Sequence, residues 1–160
     1  MGHAMAEQGD GVWQLVIFEL ANEVYGINFG TAREIIRMQA VTYLLEAPDF
    51  VEGVINLRGH VIPVVDIRKR FGLPVTEPTN ESRILVVDIG GEDLGVIVDA
   101  VTEVQSISED SIEHAIVLFT TENSYYIEGI AKVEDQLLIL LDLDRALDSD
   151  GIQVAAAAAA

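Results

Sequence analysis

Hydrophobic positions along this chain come in short runs of valine, isoleucine and leucine, and their dominant period is two rather than 3.6. Turn-forming residues separate the runs at intervals typical of an all-β domain. Val12–Leu20 predicts a first strand, and Ala21-Asn22-Glu23 reverses the chain into Val24–Asn28. Arg33–Met38 and Val41–Leu45 predict two further strands, and Pro48-Asp49-Phe50 opens a brief helical turn because proline fixes φ there. Val54–Arg58 and His60–Val65 form a hairpin through Gly59. Pro63, lacking an amide hydrogen, suits an edge position in it. Asp66 then has the place of a helix N-cap for Ile67 to Phe71, which Gly72 and Pro74 stop. Val75 to Asn80, with Pro74 and Pro78, is the linker candidate.

The remainder follows the same plan. Arg83–Ile89, a Gly90-Gly91-Glu92-Asp93 turn, Leu94–Asp99 and Thr102–Ile107 predict strands and their reversal. Ser108 to Ser111 reads as a turn or one helical turn, Ala115–Phe119 as an apolar strand and Thr120 to Tyr125 as a polar loop. Ile127–Val133 and Gln136–Leu141 predict a second hairpin, after which Asp142 caps a last helix through Leu147.

The plan is doubled in the letters as well. Gly53-Val54-Ile55-Asn56-Leu57-Arg58-Gly59 through Asp66-Ile67 reappears, without a gap, as Gly129-Ile130-Ala131-Lys132-Val133-Glu134-Asp135 through Asp142-Leu143, 76 residues on. Leu15 to Leu20 matches Ile84 to Ile89 at an offset of 69, and Glu34-Ile35 matches Glu103-Val104. The expected fold is therefore all-β with short helices: two tandem five-stranded β-barrel subdomains packed across a hydrophobic seam. Closure would remove exposed sheet edges. The boundaries that follow are 12–80 for the first subdomain and 81–150 for the second. Residues 1–11 read as an artificial cloning remnant and disordered start, and 151–160 as a tail ending in alanines.

Composition narrows the partners. The formal net charge is −18, with 10 acidic and 6 basic residues before position 81 and 17 and 3 after it. Such a surface disfavours nucleic acid and anionic membrane, both of which need clustered lysine and arginine. Six of the nine basic residues lie between Arg33 and Arg70, so the first half is the one suited to an acidic partner. Half of the residues are hydrophobic, and in runs such as Leu15-Val16-Ile17-Phe18 both strand faces are apolar. One face can fill a subdomain; the other needs the sister subdomain or a partner to cover it. There is no cysteine, hence no disulfide and no thiol nucleophile. Outside the alanine tail no run reaches the 18 or so apolar residues of a membrane helix. No leader pattern precedes Trp13, so the expected compartment is the cytoplasm.

Catalysis finds little support. Asp66 and Asp142, one per half, invite an aspartic dyad sharing a proton. Each is followed by a bulky aliphatic residue rather than by the small residues that let carboxyls approach, and helix capping explains both more simply. His3, His60 and His114 are scattered without metal-ligand spacing, and Asp88 to Asp93 reads as a hairpin turn rather than a calcium loop. No metal and no cofactor is expected. What remains is Asn56-Leu57-Arg58-Gly59 at a hairpin tip. The Arg58 guanidinium either recognises carboxylates of a partner or pairs internally, with Glu34 the natural choice, and the two roles are compatible.

From Phe50-Val51-Glu52-Gly53-Val54-Ile55-Asn56-Leu57-Arg58-Gly59 to Asp66-Ile67-Arg68 the sequence resembles the hallmark segment of the CheW family of bacterial chemotaxis coupling proteins. The resemblance runs from Trp13 to Leu147 and includes Tyr25-Gly26-Ile27 and Glu34-Ile35. It implies two five-stranded barrels, no enzymatic activity and no small-molecule substrate. It implies an adaptor that bridges the cytoplasmic tips of chemoreceptors to the regulatory domain of the histidine kinase CheA, at the inner membrane face but without insertion. By the same resemblance Ala32, Glu34, Gly53, Asn56, Arg58 and Arg83 fall on or near the receptor- and kinase-facing surface, with Glu34 and Arg58 ion-paired. Ala32 stands where the resemblance leads one to expect a larger β-branched residue. The alternative setting is a CheW-like regulatory domain excised from a chemotaxis kinase or from a CheW–receiver fusion protein.

Overall fold

A computed structural model of the chain describes residues 11–45, 47, 49–114 and 126–147. The strand expected at Ala115–Phe119, the loop after it, and the start of the turn at Pro48 lie outside the described residues.

The described residues form eleven strands and two short helices. These are β1 (Val12–Leu20), β2 (Glu23–Asn28), β3 (Ala32–Arg37), β4 (Val51–Leu57), β5 (His60–Asp66), α1 (Ile67–Phe71), β6 (Arg83–Ile89), β7 (Glu92–Val98), β8 (Ala100–Ser108), β9 (Ile112–His114), β10 (Ile127–Val133), β11 (Gln136–Leu141) and α2 (Leu143–Ala146). Short 3-10 helices stand before β3 at Phe29–Thr31 and before β9 at Glu109–Ser111.

All four tight hairpins use two-residue turns with positive φ at both positions: Ala21-Asn22, Arg58-Gly59, Gly90-Gly91 and Glu134-Asp135. This is the geometry whose twist matches that of the flanking strands. It explains why turns of such different composition recur in the same places.

The strands assemble into two sheets. One is six-stranded in the order β8-β1-β2-β11-β10-β9, and the other five-stranded in the order β3-β6-β7-β5-β4. The all-β class with two β subdomains stands. Neither sheet, however, is built from one half of the chain. β1 and β2 sit beside β8 and β11, while β3, β4 and β5 sit beside β6 and β7. The boundary expected at residue 80 therefore does not separate the sheets. Periodicity specifies which face of a strand is buried, not which strand lies next to it, so the exchange is invisible in the pattern. The pairings of the described residues do not close either sheet into a barrel.

The expected strand at Val41–Leu45 shrinks to one bridge, Thr42 to Val54. Val41 and Leu44 pack against the hydrophobic clusters while Tyr43 and Leu45 face solvent, so the buried positions are three apart rather than two and no strand face is covered. Its equivalent in the second half is β9, which forms three pairs with β10.

One hydrophobic cluster runs through both sheets. It joins Leu15 and Phe18 of β1, Val65 of β5, Leu85 and Val87 of β6, Leu94 and Val96 of β7, and Leu138 and Leu140 of β11. A smaller cluster of Ile55, Ile62, Val64, Ile84 and Val86 fills the other face of the five-stranded sheet. The seam predicted from the two-faced strands is thus the main core of the molecule.

The caps fall where the sequence puts them. Asp66 accepts the Arg68 amide at 3.0 Å, and Asp142 accepts the Arg145 amide at 3.3 Å. Their own amides donate to repeat-equivalent carbonyls, Phe50 at 2.8 Å and Tyr126 at 2.9 Å. Each carboxylate is engaged by its own helix, which is the capping reading rather than the dyad.

Candidate functional site

The β4–β5 hairpin carries Arg58 at its tip, 68% exposed and in the left-handed region at φ +52°. Two contacts hold it there. The Asn56 side-chain oxygen accepts the Gly59 amide at 2.9 Å, closing the turn from inside. The guanidinium donates to the Glu34 carboxylate on β3, a strand on the opposite edge of the same sheet. The internal pairing read from sequence is present, and it leaves most of the guanidinium facing water.

Beneath the pair lies a surface hollow of about 500 Å³ whose lining includes Ala32, Arg33, Glu34, Arg58, His60 and Asp88. Its shape comes from a β-bulge. β3 and β6 shift register between Ala32 and Glu34, so consecutive β3 residues share the rim instead of alternating across the sheet. Arg33 reaches Asp88 at 3.0 Å and Asp93 at 2.7 Å. Those two carboxylates are direct partners across the β6–β7 ladder, where like charges repel, and Arg33 lies between them.

The expected site residues divide into three groups. Ala32, Glu34 and Arg58 meet at the hollow. Asn56 and Gly53 support it from the hairpin without lining it. Gly53 is buried, at φ +153°, and a Cβ there would stand 2.1 Å from the Thr42 carbonyl oxygen. That close approach lets Thr42 and Val54 exchange two backbone hydrogen bonds of 2.8 Å. Arg83 lies at the far end of β6, opposite Arg37, and its guanidinium caps the carbonyls of Asn80 and Ser82 at 2.9 and 2.8 Å. It does not reach the hollow.

Sequence reasoning missed Arg33, Asp88 and Asp93. The signal was available: two aspartates flanking a Gly-Gly turn must face each other and need a cation. That the cation is Arg33 depends on the bulge, which the sequence does not announce.

Exposed apolar residues form a second pattern. Ile35 on β3 and Val61 on β5 are 44% and 54% exposed; Val104 on β8 and Leu137 on β11 are 50% and 60% exposed. Val104 and Leu137 are the repeat equivalents of Ile35 and Val61. Each sheet therefore presents the same apolar pair to solvent. Among the described residues no group of three or more histidine or acidic side chains is placed to hold a metal ion, and no helix is long and apolar enough to cross a membrane.

Comparison with known proteins matches residues 14–151 to the CheW-like domain family. The chain is 32% identical over 137 residues to the chemotaxis protein CheW of Klebsiella aerogenes, covering 86% of this chain and 82% of that one. It is 34% identical over 142 residues to CheW of Bacillus subtilis, covering 89% and 91%. The crystal structure of the scaffolding protein TtCheW from Thermoanaerobacter tengcongensis superposes with a TM-score of 0.80 at 41% identity, over 87% of this chain and 94% of that one.

Proposed function

We propose that the chain, which belongs to the CheW-like domain family and is 41% identical to a solved scaffolding protein, is a non-enzymatic adaptor. It couples the cytoplasmic tips of transmembrane chemoreceptors to the regulatory domain of the histidine kinase CheA. The observation on the molecule that carries this reading is the doubled surface. A bridging protein needs two docking faces, and each sheet offers an exposed apolar pair at repeat-equivalent positions.

The hollow beside Arg58 supplies what the apolar pairs lack, which is orientation. A receptor tip is an amphipathic helical bundle, and apolar contact alone would let it slide. Arg58 has five donors in a fixed fork and spends only part of them on Glu34, so it can also hold a partner carboxylate in one register. Ala32 and Glu34 form the floor and wall of that contact. Gly53 and Asn56 act at one remove, by fixing the hairpin. Each contact can be individually weak, since two linked contacts gain through effective concentration once receptors are clustered.

Arg58→Glu tests this. It sets two carboxylates side by side at an exposed position, where a lost surface ion pair costs at most about 1 kcal/mol. The melt should therefore stay close to wild type while affinity for a receptor-tip fragment or for the kinase regulatory domain falls at least tenfold. Unchanged affinity for both partners contradicts the assignment.

A further inference from the structure

The four ladders that join the two halves of the chain form a closed, symmetric set. β1 pairs with β8, and its repeat equivalent β6 pairs with β3. β2 pairs in parallel with β11, and its equivalent β7 pairs in parallel with β5. Residue i of one half meets residue j of the other, and j's equivalent meets i's, which is the arrangement of a two-fold dimer interface. Here it lies within one polypeptide.

Side chains reinforce the same junction. Asp99 takes two bonds from the Arg68 guanidinium, at 2.6 and 3.1 Å, and one from the Ala21 amide at 2.8 Å. Arg70 lies over the rings of Phe50 and Tyr126, at 5.4 and 4.7 Å, and donates to the Ala146 carbonyl at 2.5 Å. Trp13 donates to Glu109. Arg33 reaches Asp88 and Asp93.

Neither sheet is whole without both halves: among the described residues, the second half alone keeps only the β6–β7 hairpin and the three strands β9, β10 and β11. Among the described residues of 12–80 the ladders are β1–β2 and β4–β5, two separate hairpins, and β3 loses β6, the strand it pairs with. A lone hairpin is marginal in water, and three or more strands over an apolar face are needed for independent stability. By contrast the covalent tie between the halves is slight. It is the strand-free stretch 73–82, containing Pro74 and Pro78, largely exposed.

We infer that the chain is a fused pair of interlocking halves, held together by the crossed ladders rather than by the tie, so that half of a second copy of this chain can replace either one. In the intact chain the tie holds the partner half at an effective concentration in the millimolar range, so self-closure dominates in dilute solution. Cutting the tie makes closure a two-body event without changing a single ladder.

The test uses the full chain with a protease recognition sequence inserted between Thr76 and Glu77. After cleavage the two fragments should co-elute in native buffer as one particle with the mass of the uncut chain. The thermal midpoint of the cut protein should fall with each tenfold dilution, while that of the uncut protein stays fixed. When cut samples of isotope-labelled and unlabelled protein are mixed, unfolded and refolded, native mass spectrometry should find about half of the particles carrying one labelled and one unlabelled half. Fragments that separate in native buffer, a midpoint independent of dilution over a hundredfold range, or the absence of hybrids overturns the inference.

Discussion

Gly53 and Gly59 lie six residues apart on one hairpin, both with positive φ, yet the structure assigns them different costs of substitution. A Cβ at Gly53 would meet the Thr42 carbonyl oxygen at 2.1 Å; one at Gly59 meets nothing within 4 Å. Gly59→Ala should cost only the left-handed penalty, about 1 kcal/mol. Gly53→Ala adds a backbone clash and breaks the Thr42–Val54 bridge, so about 3 kcal/mol is expected. Chemical denaturation of the two variants checks the ordering. Asp66 gives a second residue-scale prediction. Burial pushes its carboxyl above the usual aspartate range, with the bond from the Arg68 amide opposing that in part. The folded state therefore holds the Asp66 proton more tightly than the unfolded one. That contribution is complete below the ordinary aspartate value near 3.9 and is lost as pH rises through the raised one. Asp66→Asn keeps the cap and should flatten this part of the melting-temperature profile, whereas Asp66→Ala should lower stability by about 1 kcal/mol.

At the scale of elements, the clasp between β1 and the 3-10 helix before β9 titrates in the opposite sense. Glu109 accepts from Trp13 and sits 2.9 Å from the His114 ring nitrogen. The hydrogen bond with His114, followed by that from Trp13, holds its carboxyl below the ordinary glutamate range. Its contribution is present above about pH 4.3 and is lost as pH falls through the depressed value. Glu109→Gln should remove that acid-side loss, which thermal melts from pH 3 to pH 6 would show. Elements were the most legible level of the sequence. Val12–Leu20, Ile67–Phe71, Arg83–Ile89, Ile127–Val133 and Gln136–Leu141 have the expected bounds. They do so because period, cap and turn residues agree at those places. Val41–Leu45 is not a strand because its packed residues, Val41 and Leu44, are spaced by three and do not form one buried strand face. The β3 bulge, on which Arg33 depends, leaves no mark in a period-two pattern.

For the whole molecule, the repeat predicted two related β subdomains and the surplus of apolar residues predicted their seam. Both are present, but the subdomains exchange strands. A repeat in sequence is compatible with side-by-side halves or with interlocked ones, and only pairing partners distinguish the two. The interlocked form suits a scaffold, since each sheet is stitched from both halves of the chain and a pull on one half is borne by ladders in both sheets. It also sets the two exposed apolar pairs on sheets that share one continuous core. The ion pair expected between Glu34 and Arg58 is present, while Gly53 packs against the Thr42 carbonyl and Arg83 lies away from the hollow. As an adaptor, one molecule bridges two partners through separate contacts. The most direct measurement is a titration of labelled receptor-tip fragment into this protein, alone and saturated with the kinase regulatory domain, by sedimentation velocity. A ternary species, with receptor affinity preserved or raised by the kinase domain, is the expected result. Mutual displacement of the two partners, or no binding of either at high micromolar concentration, would contradict it.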